Sequence, residues 1–342
     1  MKNFFRWRLR KFATVLSRIM PVRQAQGKPQ RILCIISGGM GDRLMALPAL
    51  RNIKNTWPAA SVTVLWTHGS LDIVDNEFDA TMANSSQKPF KSIGIASRPW
   101  DLVYVNIIGI YTVFTEFLVA LSRAPVRIGP TVPTPPYTKN VYTTTYNINS
   151  PAHATITNML WSKTPPERPQ FYPVAIPRVA KVKKRIGIHP GVKKGYEIKQ
   201  WPVENFATLA RLLHNEGAEI LILFGPDESG GVRSAFKDLP VSIHTPTTER
   251  ELFETIASLN LFIGNDSGPG HVAASVGTNV IVLFGPTDPQ KVAPVFKKGE
   301  IIRIECACAP CFETPEKCTN TYACMKGIGI DRVVASAKKM LG

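Results

Sequence analysis

The sequence predicts an α/β protein made of two units, each built on a parallel sheet. Three observations carry that expectation. Short, continuous apolar runs recur along the chain: RILCIIS from Arg31, SVTVLW from Ser61, RIGIH from Arg185, EILILFG from Glu219, LFIGN from Leu261 and NVIVLFG from Asn279. Their length and lack of alternation suit strands buried on both faces. Stretches with helical spacing separate them, and strands alternating with helices indicate parallel sheets. Finally, residues 163–182 carry five prolines and mixed charge, a linker composition that divides two α/β sets of similar size. The length of 342 residues, 44% hydrophobic and 19% charged, is ordinary globular composition and sufficient for two domains.

Residues 1–28 stand apart. They hold Lys2, Arg6, Arg8, Arg10, Lys11, Arg18, Arg23 and Lys28 and no acidic residue. Phe5, Leu9, Phe12, Leu16 and Ile19 recur at spacings of four and three, which is one face of a helix. A basic amphipathic helix of this kind is expected to lie on an anionic membrane surface; the alternative is a helix packed on the protein's own core. Basic residues interrupt every apolar run here, so no signal-peptide core is visible. No run in the chain reaches the 18 or so apolar residues of a spanning helix. The expected location is cytoplasmic, peripheral on the inner face of the cytoplasmic membrane.

The first α/β unit is expected over residues 31–165. RILCIIS leads into the glycine turn Gly38-Gly39-Met40-Gly41-Asp42, and RLMALPALRNIKNTW then has helical spacing, with Pro48 as an expected kink. SVTVLW and DLVYVNI are further strands. Residues 129–151, rich in Pro and Thr, read as loop plus an edge strand. The second unit is expected over 183–330. RIGIHPG is followed by a helix over 203–216, the strand EILILFG, the turn Pro226-Asp227-Glu228, and the strands SIHT and LFIGN. A last helix occupies 331–342. Open parallel sheets bind ligands outside the carboxyl ends of their strands. The two sheets are therefore expected to face a central cleft that holds the site.

The stretch Leu261–Asp288 organises the chemistry. LFIGN ends in Asp266-Ser267-Gly268-Pro269-Gly270, residue types that turn tightly and admit a ligand close to the backbone. HVAASVG returns to helical spacing and stops at Gly277. NVIVLFG is the next strand, and the turn Pro286-Thr287-Asp288 follows it. A helix N-terminus behind a glycine turn suits phosphate. The plainer reading is a βαβ crossover in which Asp266 and Ser267 cap the helix.

Asp42, at the carboxyl end of the first strand, is placed to act as a general base toward a hydroxyl; the plainer reading is a helix cap. The spacing GGxGD is not that of a dinucleotide fingerprint. Lysines in the loop after His189-Pro190-Gly191 suit phosphate as point charges. Glu228 could accept hydrogen bonds from a ribose, or serve as a first-turn acid.

The formal net charge of +16 and the pI of about 9.7 favour an anionic partner. Nucleic acid does not fit, because the basic residues concentrate in 1–28 and in loops and no nucleic-acid motif is present. Of six cysteines, Cys34 lies in an apolar strand and reads as inert core. Cys306, Cys308, Cys311, Cys318 and Cys324 have spacings that could hold zinc or iron–sulfur, but free structural thiols are the favoured reading and no metal ligand is assigned.

Four motifs carry a family resemblance. NDSGPGHVAASVGTNVIVLFGPTDP closely resembles the nucleotide-sugar motif of the heptosyltransferases, glycosyltransferase family 9, and GGMGDRLMALPALRNIKNTWP resembles that family's N-terminal motif. HPG with KQWPVENFATLARLL, and LILFGPDES, match the two motifs between them. The tail CAPCF…CTNTYACMKGIGIDRVV is similar to one seen in many members. The resemblance spans roughly residues 31–335 and does not cover 1–28.

It implies a GT-B fold of two Rossmann-like lobes, the first for the acceptor and the second for the donor. It implies an inverting transfer of heptose from ADP-heptose to a lipopolysaccharide core or related bacterial surface glycan, without cofactor or metal. The alternatives are another nucleotide sugar, for O-antigen or capsule synthesis, and a non-catalytic nucleotide-sugar-binding protein. Carried over by position, Asp42 matches the proposed catalytic base, Lys199 the lysine on the donor phosphates and Glu228 the acid near the ribose. Asp266 matches the aspartate that contacts the sugar, and Ser267, Gly268 and His271 complete the donor loop. The chain departs from some members after HPG, where Val192, Lys193 and Lys194 replace hydroxyl residues.

Overall fold

The computed structural model describes residues 27–67, 69–83, 89–106, 113–131, 141–147, 150–177, 184–225, 230–311, 318 and 320–342. Most of the basic N-terminal stretch and the candidate Glu228 lie outside the described residues. The chain divides into two compact units, Met1–Gln170 and Phe171–Gly342.

In the first unit the strands are β1 (Arg31–Ile36), β2 (Ser61–Trp66), β3 (Ala80–Ala83), β4 (Leu102–Val105), β5 (Val126–Thr131) and β6 (Thr144–Asn147). They form one parallel sheet in the order β3-β2-β1-β4-β5-β6. The second unit contributes β7 (Arg185–His189), β8 (Glu219–Leu223), β9 (Ser242–His244), β10 (Leu261–Asn265), β11 (Asn279–Leu283) and β12 (Gly299–Ile302). Its sheet, also parallel, reads β9-β8-β7-β10-β11-β12. The two units thus share one strand order. In each, the order reverses beside the first strand, at β1/β4 and at β7/β10, where an open sheet offers a ligand crevice.

The continuous apolar runs are buried on both faces as expected, with β1, β2 and β7 exposed or half-exposed only at their first residue. One face of the second sheet presents Ile186, Ile188, Ile220, Ile222, Ile263, Ile281 and Leu283 to a common core. Onto it the helix Val203–Asn215 lays Phe206, Leu209, Ala210 and Leu213, one stripe at helical spacing. The helix Ile330–Leu341 adds Val333 and Ala337. Each large apolar side chain so buried contributes about 1.5–3 kcal/mol relative to exposure. In the first unit Leu33, Ile35, Val103 and Val105 pack with Trp100, Leu118 and Val119.

The helix Met40–Thr56 runs unbroken through Pro48. Proline removes one backbone donor from the helix interior. Beside that gap, Asn158 Nδ2 donates to the carbonyl of Met45 at 3.2 Å. Gly277, with φ of +79°, ends the helix Gly268–Ser275 as the sequence predicts. Its N–H reaches the Ala274 carbonyl and that of Thr278 the Ala273 carbonyl, which together satisfy two terminal acceptors.

Part of the proline-rich stretch is packed and not free. Residues 171–175 alternate in burial, with Tyr172 fully buried and Val174 nearly so, as an extended chain lying on a surface must. The Val174 N–H donates to the Ser275 carbonyl at 3.0 Å and fastens this segment to the end of the helix Gly268–Ser275. Among the described residues, no helix is long and apolar enough to cross a membrane.

Candidate functional site

The second unit gathers most of the described candidates at the carboxyl ends of β7, β10 and β11. Asn265 closes β10 and is fully buried. Its Nδ2 donates to the carbonyls of Pro190 at 3.0 Å and Gly191 at 3.3 Å, and its Oδ1 accepts from the Trp201 N–H at 2.9 Å. One amide thereby fixes both ends of the loop between β7 and the helix Val203–Asn215. A buried amide with its donors and acceptor all engaged holds a loop to one conformation.

That loop presents Lys199, at the end of a single 3₁₀ turn Glu197–Lys199. Lys199 Nζ lies 2.7 Å from Oδ2 of Asp266, and both side chains are largely buried. Thr287, in the turn after β11, donates its hydroxyl to the same oxygen at 2.6 Å. Asp266 is therefore engaged by a lysine and a hydroxyl and does not cap the helix that follows. Ser267 occupies the N-cap position in an extended conformation, yet its hydroxyl donates back to the Asn265 carbonyl at 3.2 Å. The capping reading of Asp266 and Ser267 is not what these side chains do. Gly268 and Pro269 open the helix, and His271 lies in its first turn, almost fully buried. A lysine, a helix N-terminus and hydroxyls at one sheet edge can hold a phosphate group. Tyr196, just before the turn, has Lys193 Nζ 6.0 Å and Lys199 Nζ 5.8 Å from its ring centre.

Asp42 belongs to the first unit. It is the third residue of the helix Met40–Thr56, and its Oδ2 accepts from the Gly39 N–H at 2.7 Å, so it does cap that helix. Gly38 precedes it with φ of +118°, and a side chain there would collide with Asp42. Only glycine accommodates both demands. Asn106, just past β4, accepts from the Ser37 N–H at 2.7 Å and donates to the Ser37 carbonyl at 3.4 Å. It fixes the loop after β1 as Asn265 fixes the loop after β7.

Three residues of the site are not singled out by sequence reasoning. Asn265 carries a signal, as the one polar residue ending an otherwise apolar run. Thr287 carries one too, as a hydroxyl just beyond a strand's carboxyl end. Tyr172, whose hydroxyl meets His271 Nδ1 at 2.8 Å, carries none, because a proline-rich segment does not show which of its residues face inward.

The clustered cysteines lie beside this edge. The Cys311 N–H donates to the Pro286 carbonyl at 2.8 Å, next to Thr287. The sulfurs of Cys306 and Cys308 are 3.4 Å apart, and Asn320 Nδ2 is 3.6 Å from each. Burial, followed by the neighbouring thiols of Cys306, Cys308, Cys311 and Cys318, pushes the Cys324 thiol up to about 11. Burial likewise raises Cys34 within β1. Among the described residues, no group of three or more His, Cys, Asp or Glu side chains could hold a metal ion.

Comparisons with known proteins agree with the motifs. The chain is 30% identical over 169 residues to lipooligosaccharide heptosyltransferase 2 of Campylobacter jejuni subsp. jejuni serotype O:2, a match covering 46% of this chain and 51% of that protein. It therefore spans about half the length of that curated relative. The solved structure of Escherichia coli ADP-heptose lipopolysaccharide heptosyltransferase II superposes with a TM-score of 0.69 at 17% identity, over 91% of this chain and 98% of that one. The glycosyltransferase family 9 structure from Veillonella parvula gives 0.73 at 17% identity, over 94% and 99%. These likenesses show a shared fold, the two-unit α/β organisation of the GT-B class. The model of glycosyltransferase family 9 (heptosyltransferase) matches residues 139–321, more than half of the 342-residue chain, and the chain belongs to that family.

Proposed function

We propose that this protein transfers a heptose from ADP-heptose, with inversion, to a lipopolysaccharide core or a related bacterial surface glycan. The observation that carries the reading is the convergence of Lys199 and Thr287 on Asp266 beside the N-terminus of the helix Gly268–Ser275. Family membership supports it, and so does the likeness in fold to an ADP-heptose enzyme of Escherichia coli.

In this reading the diphosphate of the donor sits at the helix N-terminus, where backbone N–H groups and the helix dipole favour negative charge. Lys199 exchanges part of its contact with Asp266 for the phosphates and gains strength there as charge develops on the leaving group. Asp266 turns toward the sugar, and Glu228 accepts from the ribose. Asp42 takes the proton from the acceptor hydroxyl as that oxygen attacks the anomeric carbon. Lysine and helix dipole stand where a metal would otherwise neutralise the diphosphate, so turnover is expected to survive a chelator.

Residues 1–28 would hold the enzyme on the inner face of the cytoplasmic membrane. Their apolar face would enter the acyl boundary, and each basic residue near anionic head groups is worth about 1 kcal/mol. Flotation with anionic liposomes, comparing the full chain with one starting at Arg31, tests this; equal binding by both would remove the helix from the membrane.

Mass spectrometry of products formed from ADP-heptose and core oligosaccharide acceptors tests the activity itself. Failure to bind any nucleoside diphosphate would overturn the reading. The residues Val192, Lys193 and Lys194 favour one alternative, a different sugar on the nucleotide, and a panel of nucleotide sugars compared by calorimetry decides between them.

A further inference from the structure

Tyr172 is fully buried, and its hydroxyl has two partners. The Val295 N–H donates to it at 3.3 Å, and His271 Nδ1 lies at 2.8 Å. A backbone N–H can only donate, so the phenolic oxygen accepts from Val295. The phenolic proton must then find an acceptor, and among the described residues His271 Nδ1 is the one within reach. Were the imidazole proton on Nδ1 instead, the Tyr172 O–H would be a buried donor with no acceptor among the described residues, which is unfavourable. The phenol itself cannot relieve this by ionising, because burial raises its pKa.

We infer that Tyr172 is a positioning residue that fixes His271 as the tautomer with its proton on Nε2. The two rings lie nearly parallel, 22° between planes with centres 6.2 Å apart, so the imidazole is held in orientation as well as in protonation. The Val174 N–H to Ser275 carbonyl bond holds the segment that carries Tyr172 against the same helix. A neutral imidazole with a proton on Nε2 is a hydrogen-bond donor there and an acceptor only at Nδ1. Resting on the donor-site reading above, an imidazole fixed in this way keeps the first turn of the helix Gly268–Ser275 in one arrangement beside the diphosphate of the nucleotide sugar. The packed segment would thus determine which proton arrangement the first helical turn holds beside this anion.

Nitrogen NMR of the full chain with isotope-labelled histidine tests the assignment without any ligand, the His271 signals being identified by their loss in His271→Gln. The expected spectrum shows a protonated Nε2 and an unprotonated Nδ1. In Tyr172→Phe, which keeps the ring, the two tautomers should mix. ADP affinity should fall about tenfold in that variant, the equivalent of about 1.4 kcal/mol. In a His271→Gln background the same change should have little further effect. A wild-type ring with its proton on Nδ1 overturns the inference, whether or not Tyr172→Phe folds. A wild-type protein that shows the expected tautomer but binds no ADP overturns the donor-site reading instead.

Discussion

The hydroxyl of Thr287 donates to Oδ2 of Asp266 at 2.6 Å, the same oxygen that meets Lys199 Nζ at 2.7 Å. Thr287 is fully buried and Asp266 nearly so. A hydrogen bond to a charged acceptor contributes about 1.5–3 kcal/mol, so Thr287→Val, which keeps the shape, should destabilise the protein by that amount. The urea midpoint measures it. An unchanged midpoint would mean that the hydroxyl holds nothing in place.

Lys199→Ala is expected to do more. Removing one partner of a buried pair leaves a charge without compensation, which costs about 3–5 kcal/mol. The same variant should weaken ADP binding and lower kcat together, because the lysine meets phosphate in the ground state and more strongly as the leaving group gains charge. A change confined to acceptor kinetics would count against that role.

Asp42 both caps a helix and is proposed as the base, and two substitutions separate these roles. Asparagine retains an oxygen that can accept from the Gly39 N–H, but it cannot take a proton. Asp42→Asn should therefore abolish transfer while thermal stability and ADP affinity stay near wild type. Asp42→Ala should abolish transfer and also lose about 1 kcal/mol of helix capping. Near-normal turnover in Asp42→Asn would remove it from the mechanism.

Asn265→Ala should destabilise the second unit by about 2–5 kcal/mol, since it leaves the Trp201 N–H and the Gly191 carbonyl unpaired in a buried setting, while the Pro190 carbonyl keeps only its bond from Gln200 Nε2. Loss of order in residues 190–201 should accompany it, visible as faster amide hydrogen exchange at Trp201. Retained protection there would show that the loop is held by other contacts.

The backbone of this fold is legible in the sequence because its signal is local. Apolar runs such as LFIGN cannot be exposed, and a run ending in glycine has few ways to continue, so strands, turns and the stop at Gly277 follow from composition. The motifs also lead to Lys199 and Asp266, which the structure brings together. Their mutual ion pair is not legible, because nothing within either segment records that β7 and β10 are neighbours. Thr287 and Tyr172 share that difficulty more acutely. Each acts on a residue far away in sequence, Asp266 for one and His271 for the other, and neither lies in a segment whose own periodicity marks it. Asp42 shows the opposite case: its capping bond is local, and both of its readings can be written from the glycine turn alone.

The Cys324 thiol is pushed up to about 11 from an ordinary 9.0, by burial first and then by the thiols of Cys306, Cys308, Cys311 and Cys318. The thiolate is the reactive form, so at about pH 8 iodoacetamide should modify Cys324 far more slowly in the folded protein than in urea. The raised value also sets the sign of a stability effect. Between pH 9 and about 11 the folded state keeps a proton that the unfolded thiol gives up. Stability from this group is therefore complete below pH 9 and declines as pH rises toward 11. Other groups titrate in the same range, so the comparison is with Cys324→Ala, which lowers stability at every pH but should flatten this decline. Urea midpoints of both proteins across that interval give the difference directly. Parallel pH dependence in the two would show that the cysteine is no harder to ionise folded than unfolded.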